Sequence, residues 1–231
     1  FLYPDFGGLE ELTRVCGPVE SRTDACCYIL DDFSYYPISP GRPFTINGNA
    51  NVACIASPNG WSATTGFTAT NIPPHLAHRV AEYWAEMAQF EHASAASFAR
   101  FTLHLMSVGA PADLVARATK AQADEIRHAR MALGLADSVS ETERGLGALT
   151  ISDALEETGD MRALLIDTIR EACVNETISA AQCEAAGSAA SESVIRDTLM
   201  TIAHDEQEHS ALAWATVKWI LSVRPDLKAE A

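Results

Sequence analysis

From about residue 74 onward, apolar positions recur at spacings of three and four, the period of an α-helix buried on one side. The pattern predicts four long helices: about Pro74 to Met106, Pro111 to Ala136, Asp160 to Ala190 and Glu192 to Val223. Gly109-Ala110-Pro111 interrupts the first pair and Pro225 ends the last helix. The links within the first and second pairs are short, so each pair should fold as an antiparallel hairpin. The stretch from Asp137 to Gly159 is much longer and carries Gly145, Gly147 and Thr150-Ile151-Ser152. That length is enough to cross a bundle from end to end. The expected fold is mainly α, a four-helix bundle with one long crossover.

Before residue 70 the helical period is absent. Arg42-Pro43-Phe44-Thr45-Ile46 and Asn51-Val52-Ala53-Cys54-Ile55-Ala56 are β-prone, and Asn47-Gly48 between them is a strong hairpin signal. Composition changes at the same place: residues 1 to 70 hold 7 of the 13 glycines, 6 of the 10 prolines and 4 of the 6 cysteines. The division falls at Asn71-Ile72-Pro73-Pro74, because the two prolines disfavour helix before them and suit a first turn after them. The expected organisation is a Cys-containing β and loop segment (1–72), the helical bundle (73–224) and a short tail (225–231).

Charge narrows the partners. Asp plus Glu number 31 against 16 Lys plus Arg, a formal net charge of −15. Such a field repels phosphate backbones, which argues against nucleic acid and anionic membrane surfaces. The chain is 48% hydrophobic, enough for a core, and no apolar run is long enough to span a bilayer. Some of the carboxylates can also belong inside, as metal ligands.

Two helices repeat a short pattern. The second carries Asp124-Glu125-Ile126-Arg127-His128 and the fourth Asp205-Glu206-Gln207-Glu208-His209. Each contains Glu-x-x-His, and residues three apart share a helix face, so a carboxylate and an imidazole can bind one ion together. Chance predicts about 0.5 such matches in a chain of this composition, so one alone would be weak. Both matches follow an Asp and both continue apolar stripes: Leu114, Ala118 and Ala121 lead to Glu125, and Ile195, Leu199 and Ile202 lead to Glu206. An unpaired carboxylate in a core is costly, and a metal would remove that cost. The first and third helices add one inward carboxylate each. Glu91 lies with Val80, Trp84, Met87, Ala95 and Phe98; Glu176 lies with Leu165, Ile169, Ala172, Ala180 and Cys183. Glu91 precedes Glu125 by 34 residues and Glu176 precedes Glu206 by 30, so antiparallel hairpins place each pair at a similar height. Four Glu and two His suffice for two ions between shared carboxylates.

These residues, over about 74 to 223, resemble the ferritin-like di-iron carboxylate superfamily. That family has one Glu on its first and third helices and Glu-x-x-His on its second and fourth. Asp124 to His128 is also similar to the motif of di-iron monooxygenases, where the Asp hydrogen-bonds a metal-ligating His. Phe90-Glu91-His92-Ala93-Ser94 and Gly41-Arg42-Pro43-Phe44 look like segments of uncharacterised exported bacterial ferritin-like proteins. The resemblance implies that Glu91, Glu125 and His128 hold one ion and Glu176, Glu206 and His209 the other. Glu125 and Glu206 would be the bridges, with Asp124 and Asp205 orienting the histidines. Iron is the expected metal, with manganese or a mixed pair as alternatives.

Other candidates recede. His92 adjoins Glu91 but points roughly 100° away, which suits a hydrogen-bonded packing residue. His104 and His204 lie off the stripe, and His75 and His78 sit in the first turn of the first helix, near solvent. Glu171 and Glu184 read as solvated, and Glu208 does not face Glu206. Cys173 and Cys183 lean toward the core and read as small buried hydrophobes, the alternative being thiols beside the metals. Ten helical residues separate them by roughly 15 Å, too far for a disulfide.

Cys16, Cys26, Cys27 and Cys54 crowd a small segment that would gain from disulfides. A Cys26–Cys27 bond would be strained, which leaves 16–26 with 27–54, or 16–27 with 26–54. The chain begins at Phe1, so an upstream piece is expected to have been removed, and the expected location is exported: periplasmic, cell-surface or extracellular.

The leading expectation is a di-iron oxidoreductase that reacts with O2 or peroxide, as an oxidase, oxygenase or peroxidase. Its substrate is open, and homo-oligomeric assembly is compatible with it. Iron storage fits less well, since the N-terminal segment does not resemble a storage-cage subunit. The alternative is a structural or interaction protein whose metals only staple a ferritin-like scaffold, with the N-terminal segment mediating assembly.

Overall fold

A computed structural model describes residues 27–30, 41–67, 72–152, 154 and 160–230 of the 231-residue chain. The described chain is mainly helical. Helix α1 spans Pro74–Ser107 and α2 spans Ala112–Ser140. Pro73 and Pro74 open α1, where a missing N–H costs nothing. At its end Ala110 N donates to Leu105 O (2.9 Å) and Gly109 N to Met106 O (3.2 Å), the paired bonds of a Schellman stop. Pro111 then starts α2 almost at once, so α1 and α2 pack along each other as a hairpin.

The third helical rod is not uniform. It consists of α3 (Met161–Asp167), a π-helical stretch (Thr168–Val174) and α4 (Asn175–Ala189). The backbone stays right-handed through both joints, so the three pieces run on as one rod. Asp160 caps its start, accepting from Arg162 N at 2.9 Å. Helix α5 (Ser193–Val223) returns along α4, and α2 meets α5 to join the two pairs. The last residues, expected as a tail, form a 3-10 turn (Pro225–Ala229) that tucks Leu227 into the core.

The expected hairpin forms, with a correction. Strand β1 (Cys27–Leu30) and β2 (Thr45–Ile46) flank β3 (Asn49–Ala53), all antiparallel. Ile46 faces Asn49 across a two-residue turn in which Asn47 (φ 52) and Gly48 (φ 78) both take left-handed backbone. The second β-prone run, expected from Asn51 to Ala56, is broken at Cys54. Its end forms β4 (Ile55–Ala56), which pairs with β5 (Gly145–Leu146) from the crossover instead. Gly147 N donates to Cys54 O at 2.8 Å, so the crossover is tied to the N-terminal segment. Both expected disulfide pairings use Cys54, which is buried and carries no disulfide in this structure; Cys16 and Cys26 lie outside the described residues.

Two apolar clusters flank the middle of the rods. One gathers Phe98, Phe101, Leu105, Leu114, Leu164, Leu165, Leu212 and Ile220. The other gathers Trp84, Ala132, Leu133, Leu135, Cys183, Leu199 and Ile202. Polar residues of all four rods meet in the gap between them. No helix among the described residues is long and apolar enough to cross a membrane.

Candidate metal centre

The six residues singled out by spacing come together. Glu91 comes from α1, Glu125 and His128 from α2, Glu176 from α4, and Glu206 and His209 from α5. All are buried; Glu125, His128 and Glu176 are each 0% exposed. Their polar atoms form two overlapping groups. Glu91, Glu125, His128 and Glu206 each offer an atom within 4.8 Å of the others, and so do Glu125, Glu176, Glu206 and His209. Glu125 and Glu206 belong to both.

The stripes that carry them are buried close to the site, whereas Ile195, Val80 and Met87 are only half-buried. Leu114, Ala118 and Ala121 sit below Glu125, and Leu199 and Ile202 below Glu206. The stripe below Glu176 is altered by the π-helical stretch, which widens the turn there. Thr168 and Ala172 are buried, whereas Ile169 is only half-buried.

Both imidazoles present Nδ1 to the carboxylates. His128 Nδ1 lies 3.5 Å from Glu125 and 3.7 Å from Glu91, and His209 Nδ1 lies 3.2 Å from Glu125. The opposite ring nitrogens face aspartates, and the pairing is crossed between helices. His128 Nε2 on α2 meets Asp205 of α5 at 2.9 Å; His209 Nε2 on α5 faces Asp124 of α2 at 3.6 Å. An Nε2–H directed at a carboxylate leaves the Nδ1 lone pair for an ion.

Arg127 and Lys120 complete this outer layer. Arg127 donates to Asp124 at 2.9 Å and also to Asp205, and Lys120 donates to Asp124 at 2.6 Å. Arg127 therefore ties α2 to α5 directly above the histidines. Spacing alone missed its role, although it sits inside the Asp-Glu-Ile-Arg-His motif. Burial alone would raise both aspartates, but His209, Lys120 and Arg127 outweigh it at Asp124, and His128 and Arg127 outweigh it at Asp205. Both stay below the usual carboxylate range.

The inner groups are perturbed in opposite senses. Burial pushes Glu91, Glu176 and Glu206 upward, and neighbouring carboxylate charges add to it. Glu125 is held down despite its burial, because the two imidazoles beside it favour its charged form. Burial would lower His128 and His209, yet the carboxylates around them prevail: His128 is raised well above its ordinary value and His209 to about 9.

A metal ion fits this donor set. Both carboxylate oxygens of Glu125, Glu176 and Glu206, and Nδ1 of both histidines, are buried without a hydrogen-bond partner. Eight unsatisfied acceptor-capable atoms in one apolar interior are expensive unless cations neutralise them. Carboxylate and imidazole donors suit iron and manganese.

None of the demoted residues belongs to either donor group. His92 packs its ring edge-on against Trp61 (centroids 4.6 Å apart), as expected of a packing residue, but Nδ1 has no hydrogen-bond partner. His75, His78 and His204 are exposed, as are Glu184 and Glu208. His104 is half-buried. Glu171 differs from its expected solvation: it is half-buried, accepts from Thr45 Oγ1 at 2.8 Å and lies 3.6 Å from Arg100. Cys173 and Cys183 are buried and unbridged, and burial raises both thiols, Cys173 to about 11. The charges of Glu91 and Glu206 add to the rise at Cys183, which places that thiol beside the cluster.

A cavity of about 30 Å³ opens behind His209, lined by Arg117, Lys120, Ala121, Asp124, Glu208 and Leu212. It has room for about one water molecule. No family model, curated protein or solved structure matches the chain.

Proposed function

We propose that the chain is a ferritin-like di-metal protein, its four rods forming a bundle with one crossover, and that it reacts with O2 or peroxide as an oxidoreductase. The observation that carries this reading is the pair of overlapping donor groups, which share Glu125 and Glu206. Glu91, Glu125 and His128 would hold one ion, and Glu176, Glu206 and His209 the other, with Glu125 and Glu206 bridging. Two iron ions so bridged, or an iron–manganese pair, can supply a two-electron step to a small oxidant.

The protein's own part is positioning and exclusion. Asp205 accepts from His128 Nε2, and Asp124 faces Nε2 of His209, which keeps both Nδ1 atoms turned inward. Ala95, Ala121, Ala180 and Ala213 are buried around the site, and their small side chains leave the carboxylates free to adjust.

Elemental analysis of natively purified protein tests the site. Wild type should carry about two first-row ions per chain, Glu91→Gln about one, and Glu125→Ala fewer than one, because both ions use Glu125. A folded wild-type protein that binds no ion would refute the reading. Oxygen consumption and an absorption change on adding O2 to the reduced, iron-loaded protein test the reactivity. Absence of both, with a large loss of thermal stability on chelation, would instead favour a metal-stapled scaffold, a reading to which the dense packing around the cluster lends support.

A further inference from the structure

On the side of Glu176 and Glu206 the wall of the cluster is not helical. Gly41, from the segment before β2, is buried there with a φ of +45°. A Cβ built on it would lie 2.9 Å from Glu176 Oε2 and 2.9 Å from Glu206 Oε2. Both oxygens are buried without a hydrogen-bond partner, and both residues belong to the donor group of His209. Of these two residues only Glu206 is shared with the group of His128.

The segment is anchored directly after that contact. Arg42 is 4% exposed, and its guanidinium lies 3.9 Å over the Phe101 ring and 5.4 Å from the Phe98 centroid. Phe98 in turn packs on His209, with centroids 4.9 Å apart. Phe44 is buried against Phe90 and Ala93 of α1. Thr45 donates to Glu171 in the π-helical stretch and accepts from Arg100 of α1 at 2.5 Å. The main chain leaving Gly41 is therefore held against α1 and the π-helical stretch. The carboxylates are the far ends of flexible side chains, so they are what would yield to an added methyl group.

We propose that Gly41 is a positioning residue of the metal centre. Its lack of a side chain lets the N-terminal segment close the site over Glu176 and Glu206 and hold them as the second ion requires. Occupancy by the ion at Glu176 and His209 then depends on Gly41, and occupancy by the ion at Glu91 and His128 depends on it much less. The proposal rests on the two-ion reading and goes beyond it, since it brings a residue from outside the helices into the centre.

Gly41→Ala tests it, with Gly48→Ala as the control. Gly48 also has left-handed backbone (φ +78°), but a Cβ there meets nothing within 4 Å. The control therefore carries the backbone strain without the steric contact. Each protein is titrated with manganese(II), and free manganese is followed by electron paramagnetic resonance. Wild type and Gly48→Ala should bind two ions; Gly41→Ala should keep one and bind the second at least about tenfold more weakly. Two ions in Gly41→Ala with affinities within about twofold of the control would overturn the proposal. A wild type that binds none would defeat the two-ion reading itself.

Should Gly41→Ala fail to fold, the wild type still decides. Coupling between two events is reciprocal, so if the docked segment supports the second ion, that ion must support docking. Amide hydrogen exchange at Arg42 and Phe44 should slow about tenfold or more as the second equivalent of manganese binds. Exchange unchanged between metal-free and doubly loaded protein would overturn the proposal.

Discussion

Raising the pH of metal-free protein should destabilise it, and metal should abolish much of that dependence. His209 is raised from 6.5 to about 9. A group with a raised folded-state pKa contributes stability that is fully present below its unfolded value and lost as pH rises through the folded one. For His209 the loss runs from pH 6.5 to about 9, and at about 1.36 kcal/mol per tenfold change it amounts to about 3 kcal/mol. His128 is raised too, so its loss has the same sign. Glu91, Glu176 and Glu206 are raised above 4.5, and their contribution likewise disappears as pH climbs through their folded values. Glu125 is lowered, so its contribution is present above 4.5 and lost only in acid; it is constant in the window of interest. Between pH 5 and 9 every changing term among these six residues has one sign; His92, lowered by burial, runs the other way but is common to both samples. Against a typical stability of about 5–15 kcal/mol, a loss of about 3 kcal/mol would lower the melting temperature by roughly 6–12 °C. Bound ions hold the carboxylates ionised and the Nδ1 atoms unprotonated across the range, which removes these terms. The assay is a thermal melt of chelated and metal-loaded samples at pH 5, 7 and 9. Exposed groups are common to both samples and cancel in the difference. Parallel curves would refute the claim that these six residues share one buried site.

Three further outcomes are expected. His92→Gln should leave metal content nearly unchanged, whereas His128→Gln should lower it; equal losses by elemental analysis would mean that the α1 face is wrongly assigned. Asp205→Ala should weaken metal binding about 10–100-fold, because it frees the His128 ring, while Asp205→Asn should recover part of that loss. Mass spectrometry of intact protein, alkylated before and after reduction, should show a disulfide among Cys16, Cys26 and Cys27 if the protein is exported; six alkylated thiols without reduction would defeat that proposal.

Much of this arrangement is legible in the residues themselves, because helices write their buried face at a fixed period. Leu114, Ala118, Ala121 and Glu125 announce one wall, and Leu199, Ile202 and Glu206 another. Asn47-Gly48 announces its turn through the backbone it prefers. The illegible parts arise from packing across the chain. Nothing local to Thr168–Val174 marks a π-helical stretch, since that widening accommodates neighbours rather than a propensity. The strand expected to end at Ala56 divides because Gly145–Leu146 competes for its last residues, a pairing about ninety positions away. Glu171 looks solvated on its own helix and becomes half-buried only when Thr45 and Arg100 reach it. Asp124 and Asp205 precede their own motifs, yet each serves the histidine of the other helix. Gly41 is the extreme case: its relevance lies in an absent side chain next to residues far along the chain.

The donor groups also determine how the fold should respond to chelation. One combines α1, α2 and α5, and the other α2, α4 and α5, so neither the α1–α2 hairpin nor the α4–α5 hairpin can complete a group alone. The buried charges therefore lie on the surface between hairpins, while the apolar contacts within each hairpin extend well beyond the site. Removing metal leaves carboxylates crowded across that surface, and the least costly relief is to part the hairpins and admit water. Arg127 opposes the parting through Asp124 and Asp205 at the rim, but it cannot reach Glu176 or Glu91 in the interior. Trp84 reports on the event, because it is 4% exposed in a cluster that joins α1 to Leu199 and Ile202 of α5. Chelation near pH 8 should shift the Trp84 emission to the red while far-ultraviolet circular dichroism stays nearly constant, and a Trp84→Phe variant identifies its share of the signal. A fall in helicity in step with the emission change would show that the metals hold the helices themselves, and that the hairpins have no standing of their own.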